Sequence, residues 1–386
     1  MHRTPIKLLS LAAFAALAAP GLSHAQAGAG SSVTLYGTLD ASVASIDKTC
    51  FASAGSAAAG ICGANTRQGS ATAMVGGNVA SPVFGMRGSE DLGGGLRANF
   101  QLEGDVDPAN GTTDGATGAG INASGSTIGA MFRRASWVGL SGSWGSLTVG
   151  RRLNSFITNL LGTQVLLSNS VAVSAAAAGG FADFWVKNAI TYSSPNMSGF
   201  AFEAMHALSN TAGSGSAGSL SSIGANYTMG GLTLYGGYQE HNASTSVVAA
   251  TTVGHQSHYV AAKYTSGPFV VAAGLLKNEI NATATLKAVT REMRQFAMSY
   301  NISKQLVTGL TVTEVEDARM TSLQARYALS PRSSLYAMAN LNDQGTRTDA
   351  NGARVAIIPA WGARASAGPV ANTTQQALAV GVIHRF

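Results

Sequence analysis

Apolar residues fall at every second position through most of this chain, in runs that are short. In "SVTLYGTLDASVA", Val33, Leu35, Gly37 and Leu39 share one face, while Thr34, Tyr36, Thr38 and Asp40 share the other. Leu96, Ala98, Phe100 and Leu102 alternate in the same way with Arg97, Asn99, Gln101 and Glu103. At the far end Leu378, Val380, Val382, His384 and Phe386 form one face, opposed by Ala379, Gly381, Ile383 and Arg385. A period of two belongs to an extended strand whose two faces meet different surroundings. The runs come in pairs hinged on turn residues: Asp91-Leu92-Gly93-Gly94-Gly95, Gly142 to Gly145, Pro195-Asn196, Gly230-Gly231, Gly267-Pro268, Ser303-Lys304 and Pro331-Arg332. Between pairs stand long stretches of Gly, Ser, Ala and Asn. Sixteen strand candidates result, joined by tight turns and long loops in strict alternation.

An even strand number with short turns at one end and long loops at the other predicts an all-β fold. It is a sixteen-stranded antiparallel transmembrane β-barrel with short periplasmic turns and long outer loops. Lipid offers backbone N–H and C=O groups no partner, so a sheet that crosses a membrane must close on itself. Composition agrees: 46% of residues are hydrophobic and only 11% are charged, against roughly 25% charged in ordinary soluble domains. No apolar run is long enough for a transmembrane helix. A Phe at the very last position would gain little by fraying into water. As the lipid-facing end of a closing strand, Phe386 would place its ring at the membrane interface.

The first residues, "MHRTPIKLLSLAAFAALAAPGLSHAQA", have a basic start at Arg3 and Lys7, an apolar core from Leu8 to Ala19, and a small-x-small ending at Ser23-His24-Ala25. This pattern predicts a secretory signal over residues 1–25 and a barrel over residues 26–386. Losing Arg3 and Lys7 takes the formal charge from +6 to +4, a mild excess without the clustered Lys and Arg of a nucleic-acid surface. Cys50 and Cys62 enclose a run rich in Gly, Ala and Ser, and in an exported chain the pair is expected to form a loop-stapling disulfide. No metal site is expected, and no cofactor. His241, His255 and His258 match no common zinc spacing. "GSGSAG" at 213–218 lacks the strand-then-helix context of a dinucleotide loop, and no G-x-S-x-G elbow supports hydrolase chemistry.

Five stretches together resemble the trimeric general porins of Gram-negative bacteria, particularly the Neisseria and Burkholderia type: "SSVTLYGTLDASV", "FGMRGSEDLGGGLRANFQLE", "RRASWVGLSGSWGSLTVGRR", "ITYSSPNMSGF" and the terminal "GVIHRF". The resemblance covers essentially all of 26–386. It implies a homotrimer of barrels in the outer membrane, in contact with lipid and lipopolysaccharide, each passing small hydrophilic solutes and ions passively. It also implies that Phe386 belongs to the signal read by the barrel-assembly machinery. In this family the third long loop folds into the lumen and presents carboxylates to arginines on the opposite wall. Here that loop runs from about Leu153 to Trp185 and carries one acid, Asp183, and no Glu, so the acidic half of the constriction is expected to be weak or missing.

The basic half follows from phase. Arg87 lies opposite Phe84, Met86 and Gly88; Arg97 lies opposite Ala98, Phe100 and Leu102; and Arg134 lies opposite Ala135 and Trp137. Arg134 also matches the arginine of the family's "R-x-A-[FY]-V-G-L" segment. One departure is Val83, which stands where many relatives carry an arginine. Arg151 and Arg152 are adjacent and cannot both face the lumen; Arg151 is counted with the pore wall and its neighbour with the loop base. Lys187 and Arg326 fall on the inward phase, with Asp40, Glu103 and Asp183 as the opposing charge. A cation excess at the narrowest point favours anions. The expected function is therefore a mildly anion-preferring diffusion channel. The alternatives are a substrate-selective channel gated by an apolar loop 3, or a barrel adhesin or receptor; against the last, the loops lack the aromatic anchors that binding surfaces use.

Overall fold

The computed structural model describes residues 31–51, 67–109, 111, 113, 131–166, 184–210, 214–243, 254–281, 288–343, 346–348, 354–356, 367–369 and 373–386. The segment 1–25, the side chain of Cys50, Cys62 and Asp183 lie outside the described residues, and so does the expected disulfide. The chain enters on β1 (Ser32–Phe51), followed by β2 (Arg67–Gly76), β3 (Val83–Gly93), β4 (Leu96–Asp105), β5 (Ala135–Gly142) and β6 (Gly145–Leu153). A short helix, α1 (Ser155–Leu161), precedes β7 (Trp185–Ser193), β8 (Phe200–Ala207), β9 (Leu220–Met229) and β10 (Leu232–His241). Next come β11 (His255–Ser266), β12 (Phe269–Ile280), β13 (Val289–Asn301), β14 (Leu306–Val315), β15 (Ala318–Ala328) and β16 (Ser333–Asp343). Three short strands, β17 (Thr346–Thr348), β18 (Arg354–Ala356) and β19 (Ala367–Pro369), lead to the last one, β20 (Thr374–Arg385).

From β3 to β16 each strand pairs antiparallel with the next, and β20 pairs with β16 on one side and β1 on the other. Because β1 also pairs with β3, the wall closes with sixteen strand positions and no free edge. One position is built from two segments. Residues 32–38 of β1 pair with β3, and residues 41–51 pair with β2. Thus β2 and β3 are halves of one wall strand, broken between them by Gly77 at φ +78 and by Pro82. In the sequence, "RQGSATAMVG" reads as part of an Ala/Gly/Ser loop because its small residues have weak strand preference. The unusually long β1 supplies the missing partner. The turn between β3 and β4 uses Gly93, Gly94 and Gly95 at φ +85, +61 and +81, which side-chain-bearing residues adopt only at a cost.

The register fixes both faces. Thr38 pairs with Arg385 and Ser42 with Gly381, so even-numbered residues of β1 share a face with odd-numbered residues of β20. On that face Asp40, Ala44 and Ile383 are fully buried. On the other, Leu35, Leu378 and Val380 are 64%, 63% and 63% exposed. A belt of exposed Leu and Val surrounds the molecule, as a lipid-facing wall requires. Near the short-turn end aromatic rings join it: Trp144 stacks on Tyr192 at 6.4 Å, Tyr192 meets Phe202 at 5.7 Å, and Phe269 meets Tyr300 at 4.6 Å. Phe386 lies at the same end, exchanging backbone hydrogen bonds with Gly37 at 3.1 Å in each direction. These rings sit where an aromatic girdle meets the headgroup region.

Candidate constriction

The long segment after β6 turns inward at once. Asn154, fully buried, caps α1 by accepting from the Phe156 N–H at 3.0 Å and donates through Nδ2 to Gln239 at 2.8 Å. Phe156 and Ile157 are buried, and the Phe156 ring meets Tyr259 edge-on at 4.8 Å. Asn159 donates to Asn226 at 3.3 Å and accepts from the Tyr259 hydroxyl at 2.6 Å. Lys263 Nζ donates to the Gly162 carbonyl at the end of the helix, where a cation complements the exposed C=O groups. Ser299 reaches the Val165 carbonyl at 3.4 Å. By register Gln239, Asn226, Tyr259, Lys263 and Ser299 all point inward. Gly224 makes the close approach feasible, since a Cβ there would stand 2.5 Å from Asn159 Cβ and 2.6 Å from the Ser155 oxygen. Residues 154–166 therefore lie across the inner face of β9 to β13. They carry no acid.

The inner wall from β1 through β3 to β8 is a ladder of charges and rings. Arg134 holds Glu103 at 2.8 Å and Asp105 at 3.2 Å, and Arg133 holds Asp105 at 2.5 Å. Glu103 also accepts from the Tyr36 hydroxyl at 2.8 Å, and Gln101 donates to the same hydroxyl at 2.7 Å. Arg152 binds Glu203 and Thr148, both at 2.8 Å. Guanidinium groups stand over rings: Arg134 over Trp185 at 4.3 Å, Arg87 over Tyr36 at 5.3 Å, and Arg152 over Trp137 at 5.7 Å. Each ring helps fix the guanidinium above it. Arg87 is exposed and has no carboxylate partner among the described residues. Away from the Arg97–Asp91 end, the described residues of this wall thus hold four arginines, 87, 133, 134 and 152, against Glu103, Asp105 and Glu203.

Several expectations need correction. Asp40 points inward but is fully buried: its Oδ2 accepts from the Val79 and Ala80 N–H groups, and its Oδ1 accepts from Tyr336, all at 2.7 Å. It clamps the break between β2 and β3 to the barrel seam and presents no charge to the lumen. Removing it would strand two backbone donors at about 1–3 kcal/mol each. Of the adjacent pair, Arg152 faces inward. Arg151 lies in a β-bulge, its Nε donating to the Arg133 carbonyl. The same bulge leaves Lys187 without a cross-strand partner in the register, beside Asn188 at φ +57.

Trp137 is the reverse of its expected side: it pairs with inward Gln101 and donates to it at 3.2 Å. Arg134 reaches Glu103 because it precedes β5 and is not bound by the strand's alternation. Arg97 faces inward, donating to Ser89 at 2.9 Å, but it lies at the short-turn end opposite Asp91. Six residues of strand, roughly 20 Å, separate it from Glu103. Arg326 faces inward opposite Tyr336, near Arg385. The phase pattern missed Arg133, Arg152, Asp105, Glu203 and Lys263. All but Arg133 could have been found by carrying the inward phase past Thr148, Glu103, Ala201 and Ala261.

A closed sixteen-strand barrel with a lipid-facing belt, a polar inner wall and a segment laid across that wall defines an outer-membrane barrel of the porin class. A family model described as Gram-negative porin matches residues 11–347, and the chain belongs to that family. It is 34% identical over 205 residues to outer membrane porin protein 32 of Delftia acidovorans, covering 50% of this chain and 47% of that one. It is 28% identical over 266 residues to an outer membrane porin protein of Bordetella pertussis, covering 64% and 61%. The aligned parts thus span about half to three-fifths of these relatives. Among solved structures, an anion-selective porin from Comamonas acidovorans superposes with a TM-score of 0.68 at 23% identity, covering 92% of this chain and all of that one. OmpT of Vibrio cholerae gives 0.60 at 13% identity, covering 92% and 98%. The protein is a multi-pass β-barrel of the outer membrane.

Proposed function

We propose that each barrel is an open channel for passive diffusion of small hydrophilic solutes and ions, with a mild preference for anions. The observation that carries this reading is the inner wall itself. On its β1 and β3–β8 part, away from the Arg97–Asp91 end, four described arginines stand against three carboxylates, and one of the arginines, Arg87, has no acidic partner among the described residues. The helix-bearing segment adds no acid over 154–166. A positive local potential raises the concentration of anions in the narrow part of the path. The relatives' names point the same way: one is called an outer membrane porin and one structure an anion-selective porin. Assembly as a homotrimer in outer-membrane lipid and lipopolysaccharide, with Phe386 read by the barrel-assembly machinery, completes this reading. In proteoliposomes the protein should admit neutral sugars at rates that fall steeply with size, with no saturation. Rates indistinguishable from protein-free liposomes would sink the open-channel reading.

A further inference from the structure

The inner wall offers more than a charged ring. Between β1, β3, β4, β5 and β6 lies a recess of about 460 Å³, on the short-turn side of the Arg134–Glu103 pair. Arg87 stands at one side and Trp137 with Arg152 at the other. Its floor is made of small hydrogen-bonding side chains, among them Ser89, Asn99, Gln101, Ser141, Ser146 and Thr148.

We propose that this recess is a transient binding site for a polyhydroxylated monocarboxylate, a sugar acid of the gluconate kind. The proposal rests on the diffusion-channel reading and names one solute class that the channel would retain in passing. The charge count sets the number of negative groups. Arg152 already serves Glu203 and Thr148. The carboxylates along the wall are also engaged: Glu103 with Arg134 and Tyr36, Glu203 with Arg152 and Ser193. Asp91, lower on β3, accepts from the Gly93 N–H at 2.9 Å within its own turn. One guanidinium is left to meet one carboxylate, and its planar fork matches two oxygens. A dianion such as a phosphate monoester would need a second uncommitted cation, which the recess lacks.

The floor sets the rest of the ligand. Ser, Thr, Asn and Gln side chains both donate and accept, as sugar hydroxyls do. A ligand bearing hydroxyls replaces wall-bound water bond for bond, whereas a bare carboxylate of similar charge leaves the floor to water. Exchange on such terms gives weak binding, which transport requires, because a solute held tightly would block the path.

The test is the ion current of wild-type channels in planar bilayers as potassium gluconate replaces potassium acetate at constant ionic strength. The site predicts a saturable fall in conductance with gluconate, and no saturation with acetate alone or with added glucose. Arg87→Gln and Ser141→Ala should each raise the half-saturating gluconate concentration, the first by about fivefold or more, in keeping with loss of a charge-assisted bond. Arg332→Gln removes the same charge from the exposed turn before β16 and should leave that concentration unchanged. An absence of saturation in channels that conduct potassium chloride with anion preference would overturn the site and leave the channel reading standing. An equal weakening by Arg332→Gln would also overturn it, since diffuse charge would then suffice. A failure to conduct at all would strike the channel reading itself.

Discussion

A chain carrying both Arg134→Ser and Arg152→Ser is expected to prefer cations, reversing the sign of its ion selectivity. The reversal comes from uncovered charge. Arg134 covers Glu103 and shares Asp105 with Arg133, and Arg152 covers Glu203. With both gone, the wall keeps Arg87 and Arg133 against three carboxylates, so the local excess changes sign. Each charge acts on a passing ion with about 1 kcal/mol at 4 Å in water, less once salt screens it. The two replacements together should move the anion-to-cation permeability ratio by roughly tenfold. Arg97→Ser serves as the contrast, because Arg97 lies at the short-turn mouth, beside Ser89 and opposite Asp91. Its effect should be small by comparison. Reversal potentials in a salt gradient read both variants. An unmoved ratio in the double variant would place the ion path away from this wall.

The second large effect concerns the segment laid against the inner wall. Phe156→Ala should open the channel, raising single-channel conductance about twofold and adding current noise, while the strand wall stays folded. Helix α1 has seven residues, too few to persist without tertiary contacts. Its anchor is Phe156, fully buried and set edge-on against Tyr259 at 4.8 Å. Losing a buried Phe costs about 3–5 kcal/mol, and the edge-on ring contact adds about 0.5–1.5 kcal/mol. The wall does not depend on that ring, because its strands are joined by backbone hydrogen bonds around a closed circuit. Unchanged conductance, with the sheet intact by circular dichroism, would show that the segment does not narrow the path.

How much of this was legible in the sequence follows from what alternation can encode. The period of two carries the side of the sheet on which a residue falls, so the outward belt of Leu35, Leu378 and Val380 could be read directly. The tight turns could also be read, because Gly and Pro mark them. Alternation alone says nothing of height along the wall, which must be taken from residue spacing: Arg97 and Glu103 share a face but stand six residues apart on β4. A bulge interrupts the period at Lys187, whereas Arg152 simply keeps the inward phase of Thr148 and so, rather than Arg151, meets Glu203. Trp137 misleads because a large apolar ring invites a lipid-facing assignment, whereas here it lies under Arg152 and bonds to Gln101. Burial of an inward carboxylate depends on what covers it, and the clamp that hides Asp40 is formed by Val79 and Ala80, some forty residues away. The contact between α1 and β11 spans a hundred residues, and no local pattern announces it.

The sign of the wild-type reversal potential tests the cation excess of the inner wall most directly. Purified protein inserted in a planar bilayer, with a tenfold potassium chloride gradient kept below physiological ionic strength, leaves the wall charges weakly screened. Currents proportional to voltage, with a reversal potential of the sign set by chloride, are the predicted result. A reversal potential of the sign set by potassium would contradict the cation-rich constriction drawn here.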